Sequence, residues 1–249
     1  MLKIEHLTKT YAGGKKAVDD VTLEVKAGEL YGFIGHNGAG KTTTLRAVSG
    51  ILSFDSGSIT VNGYNVVQQP VAAKKAMAFL PDNPDLYEFL SGIKYLNFIA
   101  DIYGIEAQKR QTLIAKYADA FELTSALGSP ISSYSHGMKQ KLALISAFIR
   151  EPRLLILDEP FVGLDPKAAF SMKNFLRELC ESGGAVFFST HVLEVAEKLC
   201  DKIAIIKDGK LIEAGDTAEI VGNSSLENVF LELEAEPAAG LYVQEGEQK

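Results

Sequence analysis

Residues 35–42 have the composition and spacing of a phosphate-binding loop. They run Gly-His-Asn-Gly-Ala-Gly-Lys-Thr and match the pattern G-x-x-x-x-G-K-[ST]. Glycines let successive backbone N–H groups turn towards an anion, and the N-terminus of a following helix adds partial positive charge. Lys41 supplies a point charge for the β- and γ-phosphates of a nucleotide, and the Thr42 hydroxyl is a ligand for Mg²⁺. The expected nucleotide contacts in this region are Gly35, His36, Asn37, Gly38, Ala39, Gly40, Lys41, Thr42 and Thr43.

Two adjacent carboxylates follow a second apolar run. Asp158 and Glu159 come directly after Leu154–Leu157, which is typical of a buried strand. In a parallel sheet the carboxyl end of this strand reaches the same edge as the phosphate loop. We expect Asp158 to hold Mg²⁺, directly or through water, and Glu159 to act as the base for an attacking water. Ordinary solvated charge at a strand end is the alternative, and the phosphate loop in the same chain favours catalysis.

The surrounding pattern predicts an α/β fold. Glu29–Ile34 is a short apolar strand before the loop, and a helix is expected to begin near Lys41. Strands then alternate with helices, which indicates a mainly parallel sheet. Asn62–Gly63 and Asp208–Gly209 are two-residue hairpin signals, because both positions of such a turn need positive φ.

A helical block separates the two halves of the strand pattern, over about residues 83–150. Apolar residues there recur at helical spacing on three stripes. The stripes are Ile93, Leu96, Ala100 and Tyr103; Ile114, Tyr117, Ala118 and Phe121; and Met138, Leu142, Ile145 and Ile149. We interpret this block as an insertion into the α/β core rather than an independent domain.

Composition limits the classes of partner and location. The chain has 249 residues and a formal net charge of −7, so we expect no nucleic-acid partner. Its apolar runs fall short of the ~18 residues of a membrane span, its N-terminus lacks the pattern of a secretory signal, and its two cysteines cannot form a disulfide scaffold. We expect a cytoplasmic protein with one domain over residues 1–231 and an acidic, mobile tail over residues 232–249.

Further motifs follow in a fixed order. Tyr134–Met138 is similar to the signature segment of the ABC transporter ATPases, and Gly163–Pro166 is similar to their D-loop. His191 occupies the position of their switch histidine, and Tyr11 stands where they place an aromatic ring against adenine. With the phosphate loop and the two carboxylates, these motifs cover nearly the whole chain. The protein therefore resembles the ATP-binding subunit of an ABC transporter.

The resemblance implies a fold, cofactors and partners. The fold is a P-loop NTPase core with a mainly parallel sheet, an N-terminal antiparallel β subdomain and an inserted α-helical subdomain. The cofactors are ATP and Mg²⁺. The partners are a second cassette, identical or closely related, and a separate multispan permease, most like the exporter-type ones. The subunit would then lie peripherally on the cytoplasmic face of the cell membrane.

The resemblance also assigns roles to individual residues. Two subunits pack head to tail, and each ATP is held between one phosphate loop and the partner's signature segment, where Ser135 and Gly137 face the γ-phosphate. His191 would bond the γ-phosphate and hold Glu159 and water in line, with Lys41 as the third catalytic residue. Asp165 would link the two sites across the dimer. Tyr11 would stack on adenine, unless it is only an aromatic residue at a strand edge.

The chain departs from the family pattern at two places. His136 and Met138 replace a glycine and the glutamine of the usual signature, Leu-Ser-Gly-Gly-Gln. We expect this signature to retain function with an altered rate. Asp82 follows Pro81 where the family usually carries glutamine. Asp82 either strengthens the metal site or caps the following loop, with Asn83 taking the polar role.

The functional alternatives concern the partner. Aromatic residues within Asp85–Phe98 suit a groove for a short helix of the membrane subunit, and they suit the core of the helical block equally well. A soluble ABC ATPase acting on ribosomes or DNA is the alternative from another class, although such proteins usually carry two cassettes or basic extensions. A nucleotide-binding regulator without turnover is disfavoured by the intact Lys41, Asp158, Glu159 and His191.

Overall fold

A computed structural model of the protein describes residues 1–235. Its strands form two sheets, and none of the helices within that range is long and apolar enough to cross a membrane. The strands are β1 (Leu2–Thr10), β2 (Lys16–Val25), β3 (Leu30–Ile34), β4 (Ser56–Val61), β5 (Tyr64–Asn65), β6 (Met77–Leu80), β7 (Leu154–Asp158), β8 (Ala185–Thr190), β9 (Lys202–Lys207) and β10 (Lys210–Asp216). The α-helices are α1 (Lys41–Val48), α2 (Pro70–Ala76), α3 (Gly92–Ile102), α4 (Ala107–Ala120), α5 (His136–Phe148), α6 (Pro166–Glu181), α7 (Leu193–Leu199), α8 (Thr217–Val221) and α9 (Leu226–Ala235).

The larger sheet brings the chemically important strand ends together. Its order is β10-β9-β3-β8-β7-β6, and all neighbouring pairs are parallel except β10 with β9. In its register Ile34 lies opposite Thr190, and Asp158 lies opposite Ser189. Because parallel strands end at one edge, the segments after β3, β7 and β8 meet there. The predicted mainly parallel α/β core is confirmed.

The smaller sheet is antiparallel and contains the N-terminal strands. Its order is β2-β1-β4-β5. The turn between β4 and β5 is the predicted hairpin, with φ of 50° at Asn62 and 83° at Gly63. The turn between β9 and β10 repeats that geometry, with φ of 49° at Asp208 and 83° at Gly209. Both turns have positive φ at both positions, as a twisted two-residue hairpin requires.

Helices α3, α4 and α5 lie between β6 and β7 and share one apolar core. The second predicted stripe is correct, since Ile114, Tyr117, Ala118 and Phe121 are all buried. The first is wrong at its end: Tyr103 is exposed, and Tyr95 is buried instead. Tyr103 lies just beyond α3, where its ring stacks on the Arg150 guanidinium at 3.8 Å rather than entering the core.

The last described helix bears on the predicted tail. α9 continues to Ala235, so residues 232–235 belong to a helix. Phe230 of this helix is buried, and the backbone N–H of its first residue, Leu226, donates a hydrogen bond to the Glu197 carboxylate. The helix is therefore packed on the core through α7, which carries Glu197. The rest of the predicted tail lies outside the described residues.

Candidate active site

The phosphate-binding loop joins β3 to α1. All five residues of β3 are buried, and α1 begins at Lys41 as predicted. Gly40, immediately before the helix, has φ of 116°, and a Cβ there would lie 2.3 Å from the Ala17 carbonyl oxygen. Only glycine fits this close approach in this conformation. The glycine pattern is thus required by the backbone geometry of the loop itself.

Lys41 points back into the loop that precedes it. Its side chain is only 6% exposed, and Nζ donates to the carbonyl oxygens of Gly35 at 2.5 Å and His36 at 3.2 Å. Nζ also lies 3.6 Å from Oε1 of Glu159. The ammonium group is therefore held between the loop and the carboxylates at the end of β7. On the loop side its hydrogen-bond acceptors are two backbone carbonyl oxygens.

Asp158 and Glu159 are both tied to β8. Asp158 is buried, and the Ser189 hydroxyl donates to its Oδ1 at 2.5 Å. Glu159 has φ of 48°, a left-handed conformation that costs a non-glycine residue about 1–2 kcal/mol. Its backbone N–H donates to the Ser189 carbonyl at 3.2 Å and to the Ser189 hydroxyl at 3.1 Å. This bonding holds the chain in the strained turn.

His191 holds the other side of the Glu159 carboxylate. Its Nδ1 lies 2.9 Å from Oε2 of Glu159, and its backbone N–H donates to the same oxygen at 3.3 Å. Oε1 of Glu159 is buried and accepts no hydrogen bond within the described part of the chain. A carboxylate with one oxygen fixed and the other unbonded is suited to accept a proton from a bound water.

One cavity of about 350 Å³ brings most of the predicted residues together. The Tyr11 ring borders it, with its hydroxyl 3.4 Å from Thr43 Oγ1. Asp82 lies on its wall together with Asp158 and Glu159. The cavity is lined by Tyr11, Lys15, Ala17, His36, Asn37, Gly38, Gly40, Lys41, Thr42, Thr43, Asp82, Asp158 and Glu159. Gly35 and Ala39 are not in this lining; both are buried within the loop itself.

Besides Gly35 and Ala39, four predicted residues do not line this cavity: His191, which contacts Glu159 of the lining, and Ser135, Gly137 and Asp165. Ser135 caps α5, where its hydroxyl accepts from the Met138 N–H at 3.3 Å, and Gly137 follows within that helix. Asp165 caps α6 and accepts from the Ala168 N–H at 2.9 Å. Within one chain, the signature segment and the D-loop position are therefore separate from the phosphate loop.

Contacts within the chain join the signature segment to the D-loop position. Lys141 of α5 pairs with Asp165 at 2.6 Å, and its hydrogen bond holds the pKa of that carboxyl below its ordinary value. The His136 ring lies over Gly163, so that a Cβ on Gly163 would come within 3.1 Å of the ring. The replacement of glycine by His136 is thus accommodated by a glycine in the facing loop.

A family model described as ABC transporter matches residues 18–162, which is more than half of the chain. The chain belongs to the ABC transporter family. It is an ATP-binding cassette and an ATPase, as the resemblance implied. The sequence hypothesis of a nucleotide-hydrolysing α/β protein is therefore confirmed at the level of the family.

Individual relatives agree with this assignment. The linearmycin resistance ATP-binding protein LnrL of Bacillus subtilis (strain 168) is 36% identical to the cassette over 223 residues, covering 88% of the cassette and 70% of LnrL. A solved structure of an ATP-binding subunit of an ABC transporter is 33% identical, with a TM-score of 0.90 over 94% of the cassette and 99% of that chain. The dimeric cassette MJ0796 in a post-hydrolysis state, bound to ADP and Pi, is 22% identical with a TM-score of 0.79 over 87% and 99%, and shows the same fold.

The oxygen donors on the cavity wall suit Mg²⁺ that is bound together with a nucleotide. They do not form a site in which protein side chains alone hold a metal. Thr42, Asp82 and Asp158 all line the cavity of the cassette. In the described part of the chain, no group of three or more His, Cys, Asp or Glu side chains is arranged to hold a metal by itself. Mg²⁺ is usually held by one or two carboxylates together with substrate phosphates and water. This donor set suits a metal that arrives with the nucleotide.

Sequence reasoning missed Ser189 and the packing of the His36 ring. Ser189 belongs to no nucleotide motif, and the available signal was its place on the strand two residues before His191. His36 is an exposed residue of the phosphate loop and lines the cavity, as its place in the motif predicts. Its ring packs edge-on against Phe230 of α9 with centroids 4.9 Å apart, so the phosphate loop contacts that helix.

Proposed function

We propose that this cassette is the motor of a transporter, which closes head to tail with a second cassette over ATP. One observation carries this proposal. The cavity holds the phosphate loop and Glu159, whereas Ser135 and Gly137 of the same chain lie outside it. A second cassette would supply those residues. Ser135 caps the 13-residue helix α5, whose first-turn N–H groups suit a phosphate oxygen.

The residues of the cavity divide the work of hydrolysis. Lys41 would exchange its carbonyl acceptors in the loop for phosphate oxygens of ATP. Glu159 would accept the proton of the attacking water at its unbonded Oε1, while His191 fixes the other carboxylate oxygen and turns towards the γ-phosphate. Asp165 would carry the state of one site to the other across the dimer. Loss of the γ-phosphate removes the bridge between subunits and opens them.

ATP would bind with Mg²⁺ and with its base on Tyr11. The Thr42 hydroxyl and the Asp158 carboxylate would hold the metal, with Asp82 as a third oxygen donor. When bound, Mg²⁺ neutralises charge on the transferred phosphoryl group. The Tyr11 ring is 43% exposed at the edge of the cavity, which leaves a face available for adenine.

Replacing Asp82 with alanine should raise the Mg²⁺ concentration for half-maximal ATPase activity by about tenfold, because one oxygen donor near the metal is lost. Titrating Mg²⁺ at saturating ATP measures this. Asn83→Ala is the matched control, since it tests the alternative in which Asn83 carries the polar role. If Asn83→Ala shifts the titration and Asp82→Ala does not, Asn83 rather than Asp82 carries the polar role at the metal.

The permease is proposed to dock in a groove beside the helical insertion. A cavity of about 290 Å³ there has a mainly apolar wall, lined by Ile51, Phe79, Leu80, Pro81, Pro84, Asp85, Leu86, Tyr95, Ala143, Ser146, Ala147 and Arg150. Three aromatic side chains stand exposed next to it: Tyr87 is 50% exposed, Phe98 40% and Phe89 82%. The Tyr87 ring lies 6.0 Å from Phe89 and 5.7 Å from Phe98. An apolar groove with an aromatic rim suits an amphipathic helix.

The Asp85–Phe98 segment contributes some side chains to the core of the helical insertion and others to the proposed docking groove. Leu86 and Tyr95 are buried in the core of the insertion, and Phe89 is exposed. We infer a cytoplasmic face for the cassette, where ATP is available and where the buried Cys180 and Cys200 thiols remain reduced. The name of LnrL describes a resistance protein, which supports an exporter-type permease for this cassette.

Introducing a charge at Phe89 should separate the cassette from its permease. We expect Phe89→Asp to lower recovery of the multispan protein encoded beside the cassette by about tenfold after co-expression and detergent extraction, because an aromatic anchor at an interface is worth about 1.4 kcal/mol or more. ATPase activity of the isolated cassette should stay unchanged. Val67→Asp, at another exposed apolar position, is the control. Equal recovery with Phe89→Asp would exclude this groove, and no recovery with the unmodified cassette would exclude the neighbouring protein as its permease.

A further inference from the structure

Ser189 lies between the two carboxylates of the cavity and contacts both residues. It is fully buried near the end of β8, directly opposite Asp158 in the parallel register. A serine hydroxyl has one proton to donate and two lone pairs to accept with. Here the proton goes to Asp158 Oδ1 and one lone pair accepts the Glu159 N–H. One hydroxyl group therefore orients a side chain and the backbone of the next residue.

The two contacts act on different parts of the reaction. Among the side chains of the described residues, only the Ser189 hydroxyl donates to the Asp158 carboxylate, and it fixes Oδ1 of a residue that lines the cavity. At Glu159 the hydroxyl helps to hold a left-handed backbone conformation with φ of 48°. That conformation is unfavourable for a glutamate unless neighbouring contacts maintain it. His191, two residues further along the chain and just beyond β8, then fixes the Glu159 side chain.

We propose that Ser189 is a positioning residue, which sets the angle between the metal-side carboxylate of Asp158 and the catalytic carboxylate of Glu159. The proposal rests on the functions proposed above for those two carboxylates. It assigns to Ser189 no contact with nucleotide or metal. Its effect should therefore appear in the Mg²⁺ dependence and in kcat, and not in the affinity of the phosphate loop for ATP.

A set of four variants separates the hydroxyl from the packing of the side chain. Ser189→Ala removes the hydroxyl without crowding the buried position. Ser189→Thr and Ser189→Val have nearly the same shape as each other, and only threonine keeps the hydroxyl. Ser171→Ala is the control for loss of a serine hydrogen bond, because the Ser171 hydroxyl on α6 donates to the Ala120 carbonyl at the end of α4, and neither residue lines the cavity.

We expect Ser189→Ala and Ser189→Val to lower kcat about 10- to 100-fold, the range found when partners of metal-ligating groups are removed. Ser189→Thr should retain activity within about threefold of the Ser189 protein, and the KM for ATP should change little throughout. The second readout needs no turnover. In the Glu159→Gln background, Ser189→Val should raise the Mg²⁺ concentration for half-maximal binding of a fluorescent ATP analogue by about tenfold, and Ser189→Thr should not.

Equal losses in the threonine and valine variants, or unchanged kcat in the alanine variant, would overturn the proposal. So would a lower unfolding temperature in Ser189→Ala accompanied by loss of ATP binding without Mg²⁺, because that pattern marks a structural role. Failure of the proposed function has a different signature. In that case the unmodified cassette itself shows no Mg²⁺-dependent ATPase activity, or Glu159→Gln retains it.

Discussion

Replacing Glu159 with glutamine is expected to lower ATP turnover by about 10²–10⁴-fold, the contribution of a positioned general base. Glutamine keeps the size of the side chain and can still bond His191, but it cannot accept a proton at the position of Oε1. ATP binding should persist, because the phosphate loop and Lys41 are unchanged. The cassette should then accumulate in its ATP-bound form.

The measurements for this variant are steady-state ATPase rates and gel filtration with ATP. We expect Glu159→Gln to elute as a dimer with ATP and as a monomer without it, whereas the unmodified cassette returns to monomer as ATP is consumed. Glu219→Gln, at an exposed carboxylate of α8, is the control and should match the unmodified cassette in both assays. A Glu159→Gln rate within a few-fold of the unmodified cassette would exclude Glu159 as the base. Activity per molecule that is independent of dilution in a strictly monomeric preparation would exclude the composite site.

Replacing Lys41 with methionine is expected to weaken ATP binding by about a hundredfold. Methionine retains the length and packing of the buried stem, and it removes the charge together with its hydrogen bonds. Hydrogen bonds to charged groups are worth about 1.5–3 kcal/mol, and each 1.4 kcal/mol is a factor of ten. The loss of one or two such bonds to phosphate accounts for the expected change.

Titration with a fluorescent ATP analogue measures this affinity directly. The titration is run with and without Mg²⁺, because Lys41 acts on the phosphates independently of the metal. Lys75→Met, on the exposed side of α2, is the matched control for loss of one positive charge. Tight binding by Lys41→Met would show that the backbone of the loop is sufficient for the phosphates. The Lys41 and Glu159 variants should therefore separate loss of binding from loss of hydrolysis.

The local parts of the site could be predicted from the sequence. Position 40 needs glycine because the loop backbone there has positive φ and passes close to Ala17. A glycine in the motif therefore predicts this backbone conformation. The apolar run of β7 ends at Asp158, where the strand reaches the cavity. Asn62–Gly63 and Asp208–Gly209 form their turns from their own φ preferences. Each of these signals lies within a few consecutive residues.

The helical insertion shows where such signals become ambiguous. Tyr95 and Tyr103 lie eight residues apart on one helix pattern, and both are apolar enough for the core. Tyr95 packs in the core, whereas Tyr103 lies just beyond α3 and stacks on Arg150, two residues beyond α5. The spacing of apolar residues in α3 carries no information about that partner.

The sequence by itself determined the family of this protein, the nucleotide it binds and the residues that bear charge at the site, because those requirements fall on short, contiguous motifs. The tertiary structure alone decided which groups orient them. Ser189 reaches Asp158 and Glu159, and Lys141 reaches Asp165, only because β7 is paired with β8 and α5 packs beside the D-loop. Hydrogen bonds and ion pairs require contact within a few ångströms, and residues distant in sequence reach that separation only when the chain is folded.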